Sequence, residues 1–100
     1  MRIKSLAIST EEMASDFFEA VLRLKTKEAC EKFFEDVFTF KELQDVSQRL
    51  EVAFLLKQGK NYREISEKTG ASTATISRVS KCLSYGQGGY EIVLKEKEEG

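Results

Sequence analysis

Apolar residues along this chain recur mostly at helical spacing, and each recurrence begins or ends on a recognisable cap. In STEEMASDFFEAVLRLK, Met13, Phe17, Ala20, Val21 and Leu24 fall at i, i+4, i+7, i+8 and i+11. Ser9 and Glu12 ahead of them have capping-box spacing, in which each side chain accepts from the other residue's backbone N–H. TKEACEKFFEDVF then places Ala29, Cys30, Phe33, Phe34 and Val37 on one stripe, with Thr26 as N-cap. A third helix opens at Thr39, with Glu42 again three residues on. It runs through Leu43, Val46, Leu50, Ala53, Phe54 and Leu56 and stops at Gly59.

A short helix over YREISEKT ends at Gly70, and STATISRVSKCL follows with Ser72 as its N-cap. After Leu83 the stretch SYGQGGY breaks the pattern. YEIVLKEKEEG predicts a last helix through Tyr90, Val93 and Leu94 that frays into a charged tail. Ile3, Leu6 and Ile8 leave the first eight residues open between an extended arm and none. With no proline, linker or repeat, the expectation is one all-α domain over 1–100, six helices joined by short connections.

The fifth of these helices is too polar to be explained by packing alone. Only Ile76, Val79 and Leu83 give it an apolar stripe, and Ser72, Thr73, Thr75, Ser77, Arg78, Ser80 and Lys81 cover the rest. Together with the short helix before it and the Gly70-Ala71 hinge, it has the spacing of a helix-turn-helix over 61–84. Glycine there supplies a positive φ, Ser66 a small residue at the close approach, and Ile65, Ile76 and Val79 the contact between the helices. Tyr62 can pack where the first of the two begins. A helix that enters the DNA major groove needs short polar side chains near its N-terminus, so that the backbone can approach bases and phosphates. Ser72, Thr73, Ala74 and Thr75 meet that need, and Ser77 continues the same surface. Arg63 can reach a phosphate or a guanine, and Lys60, Lys68 and Lys81 suit the flanking backbone.

Charge supports this placement. The whole chain carries −1, but residues 57–83 hold six basic and two acidic residues, a local +4 against −5 for the remainder. A basic patch on an acidic body is compatible with double-stranded DNA as partner. The aromatic rings change the picture in another way. Phe17, Phe18, Phe33, Phe34, Phe38, Phe40 and Phe54 are more than one small body can enclose, which points to a homodimer as their outlet.

Several classes are disfavoured. With no histidine, a Cys/His zinc site and a Cys–His nucleophile are excluded, and no metal is expected. Cys30 and Cys82 make no disulfide framework and read as small, partly buried apolar residues. The acid pairs Glu11/Glu12 and Glu98/Glu99 lie on solvated ends, so no enzyme is expected. No apolar run approaches the ~18–20 residues that span a bilayer. The N-terminus lacks a secretory core, so the expected location is cytoplasmic.

QRLEVAFLLKQGKNYREISEKTGASTATISRVSKCL, and ATISR within it most specifically, resembles the tryptophan repressor family, in particular its small TrpR-like, YerC/YecD-type bacterial members. The resemblance implies an intertwined homodimer with two reading heads on one face, binding a palindromic operator as a transcriptional regulator, most simply a repressor. It also implies a ligand pocket, with L-tryptophan or another small effector as candidate. Arg49 and Arg78 match the two arginines that sandwich the indole, and Thr39 matches a pocket threonine. Val79 stands where the repressor has glycine beside the indole, Cys82 where it has serine, and Asp36 where an apolar residue is expected. The preferred reading of Arg49 and Arg78 is structural, Arg78 on a phosphate and Arg49 on an acidic neighbour. The alternative function is a protein-interaction or dimerisation module that keeps the fold without operator binding.

Overall fold

The structure, a computed structural model, describes residues 7–99, with side chains through Leu94. Among the described residues there are six helices and no strand: α1 (Thr10–Val21), α2 (Lys27–Val37), α3 (Phe40–Lys57), α4 (Tyr62–Thr69), α5 (Thr73–Tyr85) and α6 (Gly89–Glu99). The question of an N-terminal arm lies mostly outside the described residues; Ala7 and Ile8 carry no regular structure. Contacts divide the chain into two compact units, Met1–Thr39 and Phe40–Gly100.

The first unit holds α1 and α2. The Ser9–Glu12 capping box is formed, with the Glu12 N–H donating to Ser9 Oγ at 3.1 Å and the Ser9 N–H to Glu12 Oε1 at 3.3 Å. Thr26 caps α2 through the Ala29 N–H at 3.0 Å. The periodicity through Leu24 overshoots: the helix ends at Val21, and Arg23 and Leu24 donate to carbonyls three residues back as the chain tightens before the next cap. Rings join the two helices. Phe17 stacks on Phe33 at a centroid distance of 5.9 Å and meets Phe34 edge-on at 6.4 Å, and Phe34 stacks on Phe38 at 5.4 Å. Neither helix contains a buried residue.

The second unit has a dry core. Val52, Ala53 and Leu55 of α3, Ile65 of α4, Ala71 of the turn, Ile76 and Val79 of α5, and Leu94 of α6 are all buried. A large side chain taken fully out of water contributes about 1.5–3 kcal/mol, so this cluster is the main source of stability in the unit. Phe54, Leu56, Leu83 and Tyr90 pack against it. The core differs from the stripes expected in sequence. VAFLL is apolar all round, so periodicity there cannot choose a face; Val52 and Leu55 take the centre, and Leu50 is exposed. On α6, Leu94 is buried as expected, but Val93 faces out.

Glycine ends two of these helices by taking the left-handed conformation. Gly59 has φ 82°, with its N–H on the Leu56 carbonyl and the Lys60 N–H on that of Leu55, a Schellman closure of α3. Gly70 has φ 75° and donates to the Ser66 carbonyl at 2.8 Å, which closes α4 and turns the chain toward α5.

Candidate nucleic-acid interface

The site is built on α4, the turn at residues 70–72 and α5. Asn61 caps α4, its side chain accepting from the Glu64 N–H at 2.9 Å. Ser72 caps α5 by accepting from the Thr75 N–H at 3.1 Å, and its own hydroxyl donates to Thr75 Oγ1 at 3.1 Å. Ile65 and Ile76 are 0% exposed and Val79 is 1% exposed, so the expected contact between the two helices is formed. Ser66 does more than leave room. Its hydroxyl donates to the Ala71 carbonyl at 2.9 Å, while Thr69 Oγ1 accepts from the Ala71 N–H and donates to the Ile65 carbonyl.

With one side of α5 in the core, the rest is open. Ser72, Thr73 and Ala74 are exposed at its start, Thr75 and Ser77 are half-buried, and Arg78 and Lys81 are exposed further along. Arg63 and Lys68 are exposed on α4, and Lys60 is half-buried just before it. The Arg63 guanidinium is 3.9 Å from Glu67 Oε1, with both side chains in solvent, a pairing too weak to hold it. α5 also differs electrostatically from its neighbours. Each of the other five helices has an acid in its first turn, namely Glu11 and Glu12, Glu28, Glu42, Glu64 and Glu91, and α5 has none. The partial positive charge of its N-terminal N–H groups is therefore not offset by a carboxylate of its own first turn.

An open groove lies between the first half of α3 and this surface. Gln48 and Arg49 line it from α3, Lys68 from α4, and Ser72, Thr75 and Arg78 from the turn and α5. Arg49 and Arg78 are thus brought to the same groove. The remaining residues matched to a ligand pocket are not among its lining: Val79 is in the core, Cys82 is exposed on α5, and Thr39 is the last residue of the first unit. The expectation that both cysteines are partly buried holds for Cys30 and is corrected for Cys82, which sits on the solvent side of a helix whose stripe is only three residues wide. Asp36 is exposed on α2. Sequence reasoning missed two contributors. Asn61 carries a cap signal, Asn with Glu64 three residues on, that the basic run around it obscured. Gln48 carries no local signal at all.

Among the described residues, no group of three or more His, Cys, Asp or Glu is placed to hold a metal ion, and no helix is long and apolar enough to cross a membrane. The six helices of the described residues make a protein of TrpR-like fold, as similar solved structures show. Residues 12–98 match the family described as Trp repressor protein, and the chain belongs to that family. It is 50% identical over 82 residues to the uncharacterized protein YerC of Bacillus subtilis strain 168, covering 82% of this chain and 79% of that one. Two solved structures are similar. A TrpR-like protein from Eubacterium eligens superposes with a TM-score of 0.80 at 48% identity, covering 84% of this chain and 87% of the other. A candidate Trp repressor from Staphylococcus aureus gives 0.81 at 40% identity over 92% and 96%.

Proposed function

We propose that the chain is a sequence-specific DNA-binding transcriptional regulator, and that α4 and α5 form a helix-turn-helix whose second helix reads the major groove. The observation that carries this reading is the start of α5: exposed, hydroxyl-rich and free of acids in its first turn, with Arg63, Lys68 and Lys81 exposed on the same helix pair. Short side chains there let the helix approach base edges, and the surrounding cations contribute the salt-dependent part of the affinity. Family membership supports the same reading.

In this reading the chain works as a homodimer. The first unit supports it, because rings gathered between α1 and α2 leave Phe18, Leu22 and Met13 exposed in a single protomer. A second copy covers such a face and repeats the reading helix by two-fold symmetry, so the target is palindromic. Selection from random DNA followed by mobility shift tests the proposal: a salt-sensitive, two-fold symmetric site is expected, and the absence of any enriched sequence would overturn it.

A further inference from the structure

We infer that Gln48 of α3 is a positioning residue for α5, its side-chain amide fixing the turn that aims the reading helix. This rests on the DNA-reading proposal above. The last carbonyls of any α-helix lack intrahelical partners, and Thr69 ends α4. Gln48 Nε2 donates to the Thr69 carbonyl at 3.1 Å across 21 positions of sequence, in a partly buried setting. The partner is a carbonyl, so the amide must present its NH₂ group there. The same nitrogen lies 4.0 Å from where a Cβ on Gly70 would stand, which places the amide directly over the left-handed hinge.

Other hydrogen bonds of the turn are made within the helix pair itself. The Gly70 N–H donates to the Ser66 carbonyl, the Ala71 N–H to Thr69 Oγ1, and the Ser66 hydroxyl to the Ala71 carbonyl. Those bonds shape the turn but travel with it. The buried cluster of Val52, Ile65, Ile76 and Val79 holds α3, α4 and α5 together, yet apolar contact is non-directional and tolerates small rotations. The Gln48 bond is directional and comes from outside the helix pair. It therefore registers the turn, and α5 beyond it, against α3.

An isosteric change makes the role testable. In Gln48→Glu an ionised carboxylate can only accept, so it repels the Thr69 carbonyl, whereas the protonated acid can donate to it. The charged groups that line the same groove are Lys41, Asp45, Arg49 and Glu51 on α3, Lys68 on α4 and Arg78 on α5. The chain has no histidine, so the side chain that ordinarily titrates between about pH 5 and pH 8 is absent from the background. Affinity for the selected DNA site is measured from about pH 8 down to about pH 4, through the ordinary glutamate pKa of about 4.3, for the native protein, Gln48→Ala, Gln48→Glu and Gln44→Glu. The last adds the same charge to the same groove without facing the turn carbonyl.

Gln48→Ala is expected to bind about tenfold more weakly at every pH, the loss of a hydrogen bond in each reading head. Gln48→Glu should match it at high pH and recover about tenfold as the pH falls, against no more than about threefold for Gln44→Glu, whose recovery measures plain electrostatics. The Gly70 amide nitrogen, bonded to the Thr69 carbonyl carbon, should shift in Gln48→Ala and return toward its native resonance in acidified Gln48→Glu. Native affinity in Gln48→Ala, or equal recovery in both Glu variants, overturns the role of Gln48 alone. If Gln48→Ala does not fold, the Gln48→Glu titration decides. Failure of the native protein to select any site sinks the DNA reading, and this role with it.

Discussion

The two units of this chain are built from helices of similar local quality, yet only one of them has an interior. α1 and α2 begin on caps as well made as those of α4 and α5, with Ser9, Thr26, Asn61 and Ser72 each accepting from an N–H of the first turn. In the second unit eight apolar residues are buried; α1 and α2 contain none. Phe18 is 64% exposed and Leu22 78%, while Ile65 and Ile76 are 0% exposed. Apolar area left in water destabilises a lone hairpin, so in the proposed homodimer its rings are where a second copy would supply what one protomer cannot.

That contrast can be broken most severely at the rings. Phe34→Asp puts a charge among Phe17, Phe33 and Phe38, and sedimentation equilibrium should then report the 11.4 kDa protomer in place of a dimer. DNA affinity should fall by about a hundredfold or more, because two linked heads become one. A mass unchanged by the substitution would assign the interface elsewhere. The second unit should respond in another currency. Ile76→Ala opens a cavity in a closed core and should cost about 2–5 kcal/mol by urea unfolding.

Smaller changes sharpen the comparison within the second unit. Gly70→Ala asks an L-residue to hold φ 75° and should lose about 1–2 kcal/mol of stability in the same assay, since no atom blocks the added methyl more closely than Gln48 Nε2 at 4.0 Å. Arg63→Ala and Thr75→Ala should each weaken binding to a selected site by about tenfold while moving the unfolding midpoint little. The smallest effect belongs to Glu91→Ala. It removes the 2.6 Å ion pair with Lys57, whose side chain is only 19% exposed, and should cost less than about 1 kcal/mol, diminishing with added salt.

The parts of the fold that local chemistry encodes were legible in the sequence. Caps at Ser9, Thr26 and Ser72, the glycine stops at 59 and 70, and the contact of Ile65 with Ile76 and Val79 all follow from spacing and residue type. Periodicity failed where a helix is apolar on every side. In VAFLL the choice of Val52 and Leu55 for the core is made by what packs against α3, not by α3 itself. It also failed on α6, where Val93 and Leu94 are equally apolar and only the position of the core separates them. The polar face of α5 and its charge setting could be read in advance. Gln48 could not, because its value lies in a bond to a residue 21 positions away.

The proposed division of labour between a ring-lined dimerising hairpin and a DNA-reading unit is tested most directly by native mass spectrometry of the protein on its selected duplex. Two chains on one duplex, with half-sites about 10 base pairs apart, are predicted. One chain per duplex, or a dimer that retains no DNA at moderate salt, would contradict it.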